Sequence, residues 1–242
     1  MKLHSSAYTH IGRRSNNEDT LAHDDALGLF AVADGMGGYE GGEVASQLAI
    51  ETLFTFVRRN RNDRDVTWPY ALDRALSLAE NMAVVGTRLA HDQIAHRRHG
   101  NLAQMGSTLA LLLRHRRDRA IIAHVGDSRI YRLRSGQLTA LTVDHSMYEE
   151  LRRAGETDLP PRQHFPYSNV ITRALGISGQ ADVRTIDLAA GDIYLLCTDG
   201  LSDVVDDARI AEILATAAAR EACRILVSAA YQGGGRDNIT AV

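Results

Sequence analysis

Cysteine is nearly absent from this chain: two residues in 242, Cys197 and Cys223. Two thiols cannot build a disulfide framework or a zinc ligand set. Cys197, inside the apolar stretch Tyr194-Leu195-Leu196-Cys197, reads as a small buried residue. A basic excess is also missing. Lys and Arg number 27 against 30 Asp and Glu, for a formal net charge of −3, which argues against a dedicated nucleic-acid binder. No apolar run approaches the roughly eighteen residues of a membrane span. The opening Met1-Lys2-Leu3-His4-Ser5-Ser6 lacks the apolar core of a signal peptide, so a cytoplasmic chain with no membrane partner is expected. Proline is scarce, at four residues, beside 45% hydrophobic and 24% charged residues. That is an ordinary globular composition. There is no low-complexity segment, no long repeat and no compositional boundary. One domain over 1–242 is expected, long enough for one sizeable core.

What the sequence does have is a recurring design, an apolar run that stops at an acid. Leu29-Phe30-Ala31-Val32-Ala33 runs into Asp34-Gly35-Met36-Gly37-Gly38. Apolar residues closed by glycines read as a buried strand, here over about 28–34. Asp34 then sits where core meets solvent, and a carboxylate there needs a partner such as a cation. Gly35 has no side chain, so its carbonyl is able to approach the same ion. The design recurs at Tyr194-Leu195-Leu196-Cys197-Thr198-Asp199-Gly200 and at Ile121-Ile122-Ala123-His124-Val125-Gly126-Asp127. These strand ends are expected to converge on one metal cluster.

Residues 3–9 read as a first strand, and the polar stretch 11–20 as a loop. Ala45, Leu48, Ala49, Thr52, Leu53 and Phe56 share one helical face. That helix ends in the basic run 58–64, which reads as a solvated helix end. A second long helix is expected over about 69–95 with Pro69 in its first turn. His96 and His99 follow it without an acid or cysteine beside them and read as solvated. Segments 108–113, 120–125, 129–133 and 137–141 read as an antiparallel meander, with a turn at Ser135-Gly136. Region 144–180 holds Pro160, Pro161 and Pro166 and is irregular apart from a helical piece near 147–154. An insertion of that length carries function or moves. Strands over 183–188 and 192–198 resume the sheet. Two helices follow, one with the face Ile210, Ile213, Leu214 and Ala217, the other with Ala222, Ile225, Leu226, Ala229 and Ala230. Gly233-Gly234-Gly235 closes the second before a last strand over 239–242.

Asp34, Asp127, Asp199 and Asp237 each lie at the edge of an expected strand. Any one alone reads as a turn aspartate. Together they offer an all-oxygen donor set, which selects Mg²⁺ or Mn²⁺ rather than zinc. Several carboxylates in one pocket repel one another without a cation. Two ions about 3.5–4 Å apart form the common hydrolytic arrangement, and a bridging carboxylate such as Asp34 would hold them.

Arg14-Ser15-Asn16-Asn17-Glu18-Asp19, Asp34-Gly35-Met36-Gly37-Gly38, Gly126-Asp127-Ser128-Arg129, Thr198-Asp199-Gly200-Leu201-Ser202-Asp203 and Asp237-Asn238 occur in that order. The order is that of the metal-dependent PP2C-type protein serine/threonine phosphatases. The chain resembles their compact bacterial branch over essentially its whole length. The resemblance implies an α/β sandwich of two mostly antiparallel sheets flanked by helices, in α-β-β-α layers. It further implies that Asp34 bridges two Mn²⁺ or Mg²⁺ ions, that Gly35 gives its carbonyl to one, and that Asp199 and Asp237 bind the other. Glu18 is then expected to act through metal-bound water, with Asp19 beside it, and Arg14 to hold the substrate phosphate. That last task suits a planar, permanently charged fork. Asp127 belongs, with Asp199, to a weaker third ion site, supported by Asp203, and Asn238 stands in support of Asp237.

The implied reaction is attack of a metal-activated water on the phosphorus of phosphoserine or phosphothreonine in a protein, opposing a bacterial Ser/Thr kinase. No cysteine or serine nucleophile is needed. Met36 stands where many eukaryotic members have histidine, a proposed general acid, and methionine donates no proton. His145 reads as structural. Region 144–180 corresponds to the family's flap. A monomeric, free catalytic domain is expected, with phosphoproteins and a cognate kinase as partners and no nucleic acid. The competing readings are a catalytically silent phosphoprotein-binding regulator and a two-metal phosphodiesterase or nuclease.

Overall fold

The structure is a computed structural model that describes residues 3–38, 41–61 and 67–242. Met1, Lys2 and residues 62–64 of the basic run lie outside the described residues. In chain order the elements are β1 (Tyr8–His10), β2 (Asp19–Asp24), β3 (Leu29–Met36), α1 (Gly41–Asn60), α2 (Leu78–Arg97), β4 (Gly106–Ser107), β5 (Leu109–Arg114), β6 (Arg119–Val125), β7 (Arg129–Arg134) and β8 (Gln137–Ala140). They continue with α3 (Met147–Arg153), β9 (Asp182–Asp187), β10 (Ile193–Cys197), α4 (Asp199–Ser202), α5 (Asp207–Thr216), α6 (Ala219–Gln232) and β11 (Ile239–Ala241). One sheet has the order β1-β11-β10-β7-β8; the other has β2-β3-β5-β6-β9, with β4 on the end of β3. Every pairing is antiparallel.

Strand alternation builds the layers. On β3, Leu29, Ala31 and Ala33 pack under α1 and α2, while Phe30 and Val32 face the other sheet. On β10, Leu195 and Cys197 pack under α5 and α6, while Leu196 faces Phe30 and Val32 across the gap. A side-chain period of two on strands buried on both faces produces this. The result is four layers: helices, sheet, sheet, helices.

Several expectations are corrected. The second long helix begins at Leu78, not near Pro69. Ser77 caps it, accepting from the Glu80 N–H while the Glu80 carboxylate accepts from the Ser77 N–H, a reciprocal cap that fixes the start. The supposed meander splits: β5 and β6 lie in one sheet, β7 and β8 in the other. Gly126 makes that crossing with φ +94°, and a Cβ there would lie 2.6 Å from a Thr108 methyl. On α6 the buried stripe is Ala222, Cys223, Leu226, Val227 and Ala230, and Ile225 is 39% exposed. Among the described residues no helix is long and apolar enough to cross a membrane.

Region 144–180 is anchored at both ends. Asp144 and His145 are buried, Ser146 bridges to Ile171, and Leu175 bridges to Ser107. Most of 152–170, including the turn after α3, is exposed.

Candidate metal centre

Pairing order brings the acids to one rim. β3 and β6 both pair antiparallel with β5 between them, so they run the same way and deliver Asp34 and Asp127 to the same end. β2 starts there too, with Asp19 directly across from Asp34 in register. In the facing sheet β10 runs into Asp199, and its antiparallel partner β11 starts just after Asp237. The Thr198 hydroxyl joins the two rims by donating to Asp19 Oδ2 at 2.8 Å.

Asp34 is held through its backbone. Its N–H donates to Thr108 Oγ1 at 2.9 Å, and its carbonyl accepts from the Thr108 N–H at 2.8 Å and from Ser107 Oγ at 3.1 Å. Gly35 is buried, and a Cβ there would lie 1.9 Å from the Gly42 carbonyl oxygen. Its N–H donates to the Glu18 carbonyl at 3.1 Å. Ser46 Oγ donates to that same carbonyl at 2.6 Å. A Cβ on Gly42 would lie 2.6 Å from the Glu18 carboxyl carbon, so α1 starts with its backbone against Glu18.

Asn238 ties the segments together. Its side-chain amide donates to the Ile11 and Asn16 carbonyls, both at 2.9 Å, and accepts from the Glu18 N–H at 2.8 Å. The sequence puts Arg14 on the substrate phosphate and Asp237 on a metal ion, yet in the structure the two hold each other, with the Arg14 side chain 56% exposed. Arg14 Nη2 lies 2.7 Å from Asp237 Oδ2, and its Nε donates to the Arg236 carbonyl at 3.2 Å. That pairing raises the Arg14 pKa further. Nη1 has no partner among the described residues.

The rim is electrostatically crowded. Burial, then the charges of Asp19 and Asp199, push Asp34 well above the usual carboxylate range. Burial likewise raises Asp19, to about 7, and Asp127, to about 8. Asp199 is raised by burial and then by Asp203 and Asp237. Desolvation and like charge both favour the protonated form. Asp19 Oδ1 and Asp199 Oδ1 are buried with no hydrogen-bond partner among the described residues. Oxygen donors crowded together with two unpartnered carboxylate oxygens fit a hard divalent cation.

A second network, which the sequence reading did not single out, lies beside Asp127. Arg129 grips Asp144 with both arms, at 2.9 and 2.7 Å. Arg162, from the exposed part of 144–180, also pairs with Asp144 and reaches Asp203 Oδ1 at 3.4 Å. Asp203 is therefore held between the α4 end and the flap. Ser128 and Arg129 are visible in Gly126-Asp127-Ser128-Arg129; Thr108, whose hydroxyl lies 2.7 Å from that of Ser128 under Asp34, carries no signal.

His124, His145 and Asp182 also bring their ligand atoms within 4.8 Å of one another, but they form a prop instead of a metal site. The imidazoles stack at 4.5 Å, so their in-plane lone pairs do not converge. His145 Nδ1 accepts from the Gly126 N–H at 3.1 Å, and its Nε2 faces Asp182 at 3.3 Å and Arg173 Nη1 at 3.3 Å. A guanidinium already occupies the position a cation would need.

A profile of the family described as Protein phosphatase 2C matches residues 7–230. This chain belongs to the protein phosphatase 2C family. The serine/threonine phosphatase stp of Listeria innocua serovar 6a is 32% identical over 98% of this chain and 94% of its own length. The crystal structure of the Mycobacterium tuberculosis serine/threonine phosphatase PstP/Ppp superposes with a TM-score of 0.82 at 35% identity, covering 98% of this chain and 95% of that one. A second structure, the PstP catalytic domain in complex with two manganese ions, gives a TM-score of 0.81 at 34% identity, covering 98% and 94%. The protein phosphatase 2C fold thus accounts for both sheets and their helices.

Proposed function

We propose that this chain hydrolyses phosphoserine and phosphothreonine in proteins with the help of two divalent cations, Mn²⁺ or Mg²⁺. The observation that carries the reading is the shared rim. Glu18, Asp34, Asp199 and Asp237, from four distant segments, meet there beside Arg14, with the buried Asp199 Oδ1 unpartnered. The manganese-bound relative supports the choice of ion.

Asp34 would bridge the two cations, with Gly35 and Glu18 on one side and Asp199 and Asp237 on the other. Asp127, with Asp199 and Asp203, would hold a weaker third. Bound there, such ions neutralise phosphate charge and make water a nucleophile at neutral pH. The chain's own residues do the rest. The open Nη1 of Arg14 gives the phosphate one arm of a charged fork while Asp237 and the Arg236 carbonyl steady the other two nitrogens. The Thr108 and Ser107 bonds to the Asp34 backbone fix the point from which that carboxylate projects into the rim. Met36 donates no proton, so the leaving oxygen takes its proton from elsewhere in the cleft. Cys197 and Cys223 play no part.

We take residues 1–242 as one catalytic unit with a flap at about 144–180 that tunes the choice of phosphoprotein. In this reading the protein is a cytoplasmic monomer that opposes a Ser/Thr kinase. The test is phosphate release from a phosphothreonine peptide by the purified chain with and without Mn²⁺. Manganese-dependent release, abolished in Asp34→Asn and Asp199→Asn, is expected. Peptide binding without release would make it a silent regulator, and cleavage of diesters in preference to monoesters would make it a phosphodiesterase.

A further inference from the structure

Two loops meet on one side of the acidic rim, through one main-chain bond and one side-chain-to-main-chain bond. The Arg13 N–H donates to the Gly235 carbonyl at 2.8 Å, and Arg14 Nε donates to the Arg236 carbonyl at 3.2 Å. A Cβ on Gly12 would lie 1.9 Å from the Asp237 carbonyl oxygen, so nothing separates the two segments. This contact brings Arg13, Arg14 and Arg236 onto one lip. Arg14 is spent on Asp237 and the phosphate position. Arg13 and Arg236 are exposed and make no ion pair among the described residues. Their anchoring runs through main-chain atoms, which leaves both guanidinium groups for a ligand.

We propose that Arg13 and Arg236 form a basic lip that selects phosphoprotein segments with acidic residues on one side of the phosphorylated residue. The proposal deepens the phosphatase reading and rests on it. A peptide whose phosphate lies at Arg14 must run past this lip in one direction, and guanidinium groups take carboxylates in two-point contacts. The preference would be local. The chain as a whole carries a net charge of −3, and its general field opposes an acidic peptide.

The test compares kcat/KM for phosphothreonine peptides bearing three aspartates, or three alanines, on the N-terminal or the C-terminal side. Each exposed charge pair is worth ~1.4- to ~5-fold, so two arginines give a preference of ~2- to ~25-fold for aspartates on one side only. The Arg13→Ala/Arg236→Ala double variant, which keeps both bonds, should lose that preference. Arg13→Glu/Arg236→Glu should turn it into discrimination against aspartate. Because the readout is a ratio within each enzyme, altered folding or metal loading cancels. Equal rates for all peptides, equal gain on both sides, or a preference intact in the double variant would overturn the lip. Binding of the same peptides by fluorescence anisotropy reads the lip independently of turnover. A one-sided acidic preference without phosphate release would keep the lip and sink the phosphatase reading.

Discussion

Replacing Asn238 by alanine removes, with one small side chain, three hydrogen bonds that lie under the whole site. The residue is 5% exposed, and its amide holds the Ile11 and Asn16 carbonyls and the Glu18 N–H. Each such bond contributes about 1 kcal/mol net. Ile11 is exposed, so its carbonyl regains water; Glu18 is half-buried, and its N–H loses the acceptor it has in Asn238. A loss of about 2–3 kcal/mol in urea unfolding is expected. The effect on rate should be larger in proportion, because the freed loop carries both Arg14 and Glu18. A displacement of about 1 Å at such groups costs on the order of 10²-fold in kcat/KM. Asn238→Asp separates the causes: it keeps an acceptor for the Glu18 N–H, loses both donations, and adds negative charge to a crowded rim. It should rescue little. If alanine left stability within about 0.5 kcal/mol and kcat/KM for a phosphothreonine peptide unchanged, the hub role assigned to Asn238 would be wrong.

Burial places the folded pKa of Asp19 at about 7 and of Asp127 at about 8, above the unfolded value of about 3.9. The folded chain therefore holds extra protons, and the stability this gives is full below about pH 4 and lost as pH rises through 7 and 8. Without divalent cations the unfolding midpoint should fall between about pH 5 and 8, less steeply in Asp19→Asn; a flat profile for the parent contradicts the assignment. Gly42→Ala should press a methyl onto the Glu18 carboxyl and weaken Mn²⁺ binding by about tenfold or more; titration calorimetry showing unchanged affinity would refute the contact. Cys197 is fully buried with its thiol pushed up to about 12, so Cys197→Ala and Cys223→Ala should keep turnover, and a large loss with the fold intact would rule out direct attack by water. Arg162→Ala unties the flap from Asp144 and Asp203; it should speed proteolysis within 152–170 and change rates on phosphoproteins more than on aryl phosphates, whereas equal changes count against a flap role.

Much of the fold was legible because period and punctuation agree in it. The runs around Leu29–Met36 and Ile193–Cys197, and the faces of α1 and α5, are readable from side-chain spacing alone. The misses have local causes. Proline suits a first turn, so Pro69 reads as a helix start, but the capping box of Ser77 and Glu80 is the stronger signal. Ile225 fits an apolar stripe and reads as buried from sequence, yet it is exposed. The buried stripe instead runs through Cys223 and Val227, one residue round the helix on each turn. At the site, acids beside glycines were visible. The hydroxyls of Thr108 and Ser46 were not, because a buried hydroxyl looks like any other until its partner is known.

What the sequence could not supply was direction. An acid after a strand is uninformative about where it lies unless the neighbour order is known, since adjacent antiparallel strands end at opposite rims. Had β3 and β6 been immediate neighbours, Asp34 and Asp127 would have lain at opposite ends of the sheet. Inserting β5 between them restores the common direction, and starting β2 and β11 at the rim where β3 and β10 finish adds Asp19 and Asp237. The clustering of carboxylates is thus a consequence of strand parity, and the pairing also dictates its cost. Asp19, Asp34, Asp127 and Asp199 sit where core meets water, with their neighbours' charge added to their own desolvation. The raised pKa values of Asp19, Asp34, Asp127 and Asp199 express one topological fact. Changing Asp199 to asparagine should therefore lower the pKa of Asp19, Asp34 and Asp127 as well as remove its own, a shift that titration of the variant by NMR would detect.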